Sequence, residues 1–423
     1  MGRLEVLESF LQDLVRNVGE DGTGFEGGGR FLSQEGFGTL FLSQDEAREF
    51  QVVVKALMNR YGSRDLISRS HVEAELRKAI FTAFGEIDAV DRYSPARATR
   101  AIDELDLRLS KQPSSFHCFI ELEGAGRDGL PFRFGKLRFV VFNDSQLRKF
   151  RDATRQHRFD ADELAKRRHV LRGVRDTHLW NGPCAIARVK AKDAQAAEEI
   201  AVAEVRLALD VLNFFSDLTA YQSGRVFLPG DRGRALTTAM ILEDSSSWYS
   251  RQARAGPPTL FDFSKLRGET RYRSSRRRLH MILAEEAMNP VDELLLSGVR
   301  WAGRAATELR DEHAFLWYAI ALESVLLPED ARDALGYRLR LRAAHLLTDD
   351  LAERREVAKT VRDLYQTRSK IVHGGRYDLA DGELKRIRAI TKAVLLRLLS
   401  HQEVRRLESV SQYQNWFEDR MLR

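Results

Sequence analysis

Cysteine is nearly missing: Cys118 and Cys184 are the only two in 423 residues. That excludes a disulfide framework and a cysteine-built zinc cluster, and it points to a reduced, cytoplasmic setting. Long hydrophobic runs are missing as well. No stretch is apolar for ~18 residues, so no membrane-spanning helix is expected. The opening Met1–Glu5 lacks the basic-then-apolar layout of a signal peptide. No internal repeat and no long low-complexity tract stand out. Neither sign of charge dominates: 68 Lys and Arg face 62 Asp and Glu, a net charge of +6. So mild an excess is compatible with a polyanionic partner and does not demand one. What is present, 43% hydrophobic and 31% charged residues, describes ordinary globular material of two or three domains.

The first 240 residues read as α+β. Leu4, Leu7, Leu11, Leu14 and Val15 have helical spacing. The glycine-rich stretch Gly19–Gly38 lacks the Lys-Ser/Thr ending of a phosphate loop and reads as a loop or hairpin connection. Glu46–Tyr61 and Val72–Phe84 predict helices, the second with Ser70 as N-cap. Phe116–Glu123, Leu130–Phe134 and Leu137–Val141 predict strands, the last two forming a hairpin, and Pro183–Ala191 predicts another. Asn143–Arg172 reads as a charged helix. Asp193 caps a long helix with Ile200, Ala203, Leu207, Val211, Phe214 and Leu218 along one side. His117, His157 and His178 are isolated, with no second ligand at metal spacing.

Between Arg251 and Arg278 lie nine Lys and Arg residues, opposed by Asp262 and Glu269 alone. Tyr272 lies within the run. Basic side chains interleaved with aromatics suit RNA, since phosphates attract cations and splayed bases stack on rings. Arg271, Arg273, Arg276 and Arg277 are the candidate RNA contacts. A solvated inter-domain loop is the plainer reading. Residues 241–288 are therefore expected to be a basic connecting segment.

From Asn289 to the end every segment has helical pattern, predicting an all-α bundle over 289–423. Phe315–Leu327 is apolar on nearly all sides and should be its core helix; its one charge is Glu323. A buried lone carboxylate is expensive and needs a cation. Arg368 is the economical partner, with Arg340 and Arg342 as rivals. Tyr413, Trp416 and Phe417 should dock a C-terminal tail on the bundle.

Val357, Val361, Leu364, Arg368 and Ile371 recur at steps of four, three, four and three, one face of a helix. A guanidinium cannot shed its charge on burial, so Arg368 requires an anion. His373 follows, and Gly374–Gly375 allow a left-handed cap. Arg368 can be read as a structural ion pair and His373 as a helix-end residue satisfying carbonyls and dipole; together they also form a candidate phosphate-handling site.

The string Leu364-Tyr365-x-x-Arg368-Ser369-x-Ile371-Val372-His373-Gly374 resembles the R-x-x-x-x-H signature of the HEPN superfamily, in its ApeA-like branch. The resemblance covers about the last third of the chain. It implies a helical bundle that dimerises through this domain, and a metal-independent endoribonuclease of the prokaryotic defence or toxin kind that takes no cofactor. Some members are instead catalytically dead RNA-binding or scaffolding modules. By that resemblance Arg368 and His373 would be catalytic; Glu323, on the ion-pair argument above, and Ser369, Lys370 and Tyr365 beside the motif are the candidate supporting residues. The N-terminal region would then sense a phage-derived or cellular trigger. The superfamily often carries Asn after the Arg; here the residue is Ser369.

Overall fold

The structure is a computed structural model. It describes residues 7, 9–11, 30–34, 38–62, 66–84, 94–146, 179–218, 224–229, 237–241, 248–252, 260–285, 287–328, 334–374 and 378–422. The chain is mostly helical, with a small four-stranded antiparallel sheet in its N-terminal half and helices throughout its C-terminal part. Among the described residues no helix is long and apolar enough to cross a membrane.

Two compact units divide the chain, 1–118 with 188–202, and 119–187 with 203–423. They do not follow the expected boundaries at 240 and 288. The strands and the long helix expected to close an N-terminal domain run on into the second unit.

The first unit holds a hairpin, β1 (Arg30–Gln34) and β2 (Gly38–Leu42), then α1 (Gln44–Tyr61), α2 (Arg69–Phe84) and α3 (Pro95–Leu109). The hairpin occupies the end of the glycine-rich stretch, which is thus partly regular. Ser43 and Glu46 cap α1 reciprocally, which relieves two backbone N–H groups that would otherwise lack partners. Ser68, not Ser70, caps α2, its hydroxyl accepting from His71 N at 3.1 Å. The core joins Phe50, Val54 and Leu57 of α1, Leu76 and Ile80 of α2, and Ala101 and Leu105 of α3. Leu7, Phe10 and Leu11 join it, agreeing with the first predicted helix at the residues described there.

The sheet has the order β3 (Ser114–Glu121), β6 (Pro183–Ala191), β5 (Leu137–Val141), β4 (Phe132–Phe134). Phe132 faces Phe139 across the β4–β5 hairpin, and Phe139 faces Ala185 of β6. The predicted helix over 143–172 lies outside the described residues from 147 on. Helix α4 (Ala194–Leu218) follows, with the Asp193 carboxylate accepting from Ala196 N at 2.9 Å. A second hairpin, β7 (Thr237–Ile241) and β8 (Trp248–Gln252), was not legible as strand.

The expected connecting segment is not a detached linker over its second half. It forms α5 (Phe263–Gly268) and α6 (Arg273–Ile282). Phe263 is fully buried against Phe132, Phe139 and Phe261. Arg278 donates to Asp292 at 3.0 Å and to the carbonyls of Leu398 and Val404. With acceptors on three sides of its planar fork, this cation fastens α6 to the C-terminal helices rather than facing solvent.

Those helices are α7 (Pro290–Ala305), α8 (Asp311–Leu326), α9 (Leu335–Leu347), α10 (Leu351–Gly374), α11 (Glu383–Ser400) and, after one 3-10 turn at Val404–Arg406, α12 (Val410–Met421). Helix α8 is the core helix, in contact with α7, α9, α10 and α11. It is apolar nearly all round, so it can present buried residues to four neighbours. Tyr413 and Phe417 are fully buried, and Tyr413 Oη donates to Val325 O of α8 at 2.9 Å. The tail docks on the helices, as its aromatics predict.

Candidate functional site

Helix α10 carries Arg368 toward α8. Val361, Leu364 and Thr367 are buried, while Val357, Arg368 and Ile371 are half-buried. The apolar face is therefore real, and it shallows toward the C-terminus of the helix.

Arg368 Nη2 donates to Glu323 Oε2 at 3.3 Å, and its Nε lies 3.1 Å from Oε1. The second contact has the distance of an ion pair but not the alignment of a hydrogen bond. Both side chains are about one quarter exposed, 28% and 24%, so solvent still screens the pair. Burial pushes the Glu323 carboxyl above the usual carboxylate range, and Arg368 pulls it back in part.

The rivals are engaged elsewhere. Arg342 is 1% exposed and donates to Leu326 O at 2.7 Å, closing the end of α8. Arg340 lies over the Tyr337 ring at 4.9 Å. The expected partner of Glu323 is the one observed.

His373 is exposed in the last turn of α10. Gly374 is still helical and not left-handed, so the expected cap does not form there; Gly375 lies outside the described residues. Because the helix stays regular, Arg368 and His373 project ~140° apart. One chain brings Glu323 to Arg368, but it does not bring His373 to Arg368. Tyr365 is half-buried beside Gly336, Ser369 is half-buried, and Lys370 is exposed.

The basic segment splits by environment. Arg271, Arg273 and Arg277 are exposed. Arg276 is half-buried and donates to the carbonyls of Leu266 and Glu269. It closes the C-terminal end of α5.

A denser electrostatic feature was not anticipated. Asp217, in the last turn of α4, has a side chain only 3% exposed. It accepts from Arg225 at 2.9 Å, from Tyr318 Oη at 2.9 Å and from Arg388 Nε at 2.8 Å, with Lys392 Nζ at 2.7 Å. Three cations hold this carboxyl below the ordinary range despite its burial. Two turns earlier Asp210 meets Arg304 at 3.2 Å and Arg300 at 3.8 Å. Here burial outweighs the cations and raises the carboxyl to about 6. The signal was present: two acids seven residues apart on a helix rich in Ala, Val, Leu and Phe. It is the same signal that singled out Glu323.

Among the described residues no group of three or more His, Cys, Asp and Glu side chains is placed to hold a metal ion. No family model matches the chain, no curated protein matches it, and no solved structure matches it.

Proposed function

We propose that this chain is a metal-independent endoribonuclease of the HEPN kind, acting in the cytoplasm as a defence- or toxin-type effector. The observation that carries the reading is a cation oriented within a helical assembly, with a solvent-open histidine one turn further along the same helix. Glu323 holds Arg368 in one direction, as a clamp on a phosphate requires. His373 stands exposed at the helix end.

RNA carries its own nucleophile, the 2′-OH beside the scissile phosphate. Attack on phosphorus forms a 2′,3′-cyclic phosphate as the P–O5′ bond breaks. The proton from the 2′-OH passes to a base, and the departing 5′-oxygen takes one from an acid. His373 supplies the acid, because imidazole exchanges protons near neutral pH. Arg368 stabilises the charge growing on the phosphorane oxygens. Since the two diverge by ~140°, a two-fold dimer of the C-terminal helices assembles the cleft from two copies of α10. Ser369, Lys370 and Tyr365 then border that cleft, and the N-terminal region receives the trigger.

The Glu323–Arg368 pair also favours a second reading, a non-catalytic RNA-binding or assembly module in which the pair only ties α8 to α10. Cleavage of total RNA in EDTA, wild type beside His373→Ala, separates the two. Because His373 is exposed, its loss leaves the fold unchanged. The nuclease reading expects cyclic-phosphate ends from wild type and at least about 100-fold slower cutting by the variant. Equal cutting by both proteins removes His373 from the chemistry. No cutting by the full-length wild type supports the binding module.

A further inference from the structure

An open groove of about 350 Å³ lies between the start of α6 and the C-terminal half of α11. Arg271, Tyr272 and Ser274 line one side, Arg397 and Ser400 the other, and Leu347 at the end of α9 lies between. The lining holds two guanidinium groups, an aromatic ring and hydroxyls; no Asp or Glu among the described residues lines it, although the Glu269 carboxylate beside it accepts from Arg271 N at 2.9 Å. The Arg271 guanidinium lies over the Tyr272 ring, 5.8 Å from its centroid. Arg397 and Ser400 are exposed and Tyr272 is half-buried.

We infer that this groove takes one nucleotide of a single-stranded RNA, its base stacked on the Tyr272–Arg271 layer and its phosphate drawn to Arg397. The inference rests on the ribonuclease reading and gives that reading a substrate-holding surface remote in sequence from the Arg368–His373 motif. Three properties select the ligand. Two lining cations against the one carboxylate beside Arg271 leave a net positive groove that attracts an anion, chiefly at Arg397. A half-buried ring capped by a guanidinium is a stacking face, and such faces accept any base once it is unpaired. The volume is at the lower end of the range for small-ligand sites, enough for one nucleotide and too small for a duplex. Of the four arginines first assigned to RNA, Arg271 is the one that lines this groove. Arg397 and Ser400, 126 and 129 positions further along the chain, are brought to it only by the fold.

The test uses the full chain carrying His373→Ala, so that bound RNA survives. The probe is a labelled ten-nucleotide single strand of mixed sequence, with the same sequence as a duplex for comparison, read by fluorescence anisotropy. Tyr272→Leu is expected to weaken single-strand binding at least about fivefold, the loss typical of one stacked base, and Tyr272→Phe to keep it. Arg397→Gln is expected to weaken binding and to flatten its salt dependence by about one phosphate contact. Ser400→Glu, which places an anion in the groove, should weaken it as well. Affinities within twofold of the parent for all three weakening variants overturn the inference, as does equal binding of duplex, or no binding by the parent. If Tyr272→Leu does not fold, the exposed positions 397 and 400 decide alone. Cleavage by wild type with unchanged binding in the variants rejects the groove and keeps the nuclease. Groove-dependent binding without cleavage does the reverse.

Discussion

Asp210 is a carboxylate kept short of what water would give it. Its side chain is 11% exposed, and its nearest cations, on Arg304 and Arg300, stand at 3.2 and 3.8 Å. With a carboxyl at about 6, the folded chain binds this proton more tightly than the unfolded chain, where the group titrates near 3.9. Stability from this residue is therefore greatest below pH ~4 and is lost as pH rises toward 6. So large a rise on folding corresponds to about 3 kcal/mol at most. Asp210→Asn, which cannot ionise, should be more stabilising relative to wild type at pH 7.5 than at pH 4.5, by on the order of 2 kcal/mol. Thermal melts at the two pH values check this; a difference independent of pH would show that the arginines fully compensate the buried charge. Asp217, by contrast, has three cations and a phenol, and its carboxyl lies on the other side of the ordinary range. Three cations act on each acid and the burial is similar; what differs is contact, since Asp217 accepts hydrogen bonds from several donors within 2.9 Å while Asp210 has Arg304 at 3.2 Å and Arg300 at 3.8 Å.

Among the elements, the crossing of α4 and α7 has the least room. A Cβ on Gly303 would stand 1.9 Å from the Asp210 carbonyl oxygen, so only glycine lets the two backbones approach this closely. Gly303→Ala must push the helices apart, with an expected loss of at least about 1–3 kcal/mol in urea unfolding. Gly268→Ala, in α5 with nothing within 4 Å of the added carbon, should be neutral or slightly stabilising. Equal stability of the two variants would mean that α7 can slide on α4 without penalty. Helix α6 makes the same point from the side of sequence reading. Its run Arg271–Arg278 looked like solvated charge, yet its residues have three different fates. Arg278 is tied to α7 and α11, Arg276 closes α5, and Arg273 and Arg277 stay exposed. Charge along a sequence does not reveal which N–H groups will find carbonyls, because those carbonyls lie up to 126 residues away.

At the scale of the whole molecule the ribonuclease reading requires two copies of α10, since one helix cannot point Arg368 and His373 at a single phosphate. The chain should accordingly sediment at twice its 48.4 kDa, and His373→Ala should not change that mass. A monomer that nevertheless cleaves RNA would sink the composite-cleft geometry while leaving the chemistry in place. The two compact units, with β3, β6 and α4 continuous across their boundary, also mean that a cut near residue 240 removes the α4 turns carrying Asp210 and Asp217 from the helices they are paired with. The chain should therefore be tested whole, since a start at 203 would also take Phe132 and Phe139 away from Phe263.

Local pattern determined much of this protein by itself. Helical spacing placed α1, α2 and α4 within a few residues and marked the apolar faces of α8 and α10, alternation placed β3 to β6, and a lone charge on an apolar face named the Glu323–Arg368 pair. These follow from short-range rules: 3.6 residues per turn, a period of two in strands, and the cost of burying one unpaired ion. Helix α3 and the β7–β8 hairpin were missed: the stripe of α3 is built half from alanines, Ala98 and Ala101 beside Leu105 and Leu109, and the hairpin shows no clear alternation. Which surfaces meet was left to the tertiary structure. It alone joined α4 and the basic segment to the C-terminal helices, assigned Arg225, Arg388 and Lys392 to one aspartate, and set Arg397 opposite Tyr272, because pairing across a hundred residues depends on packing that no local period encodes.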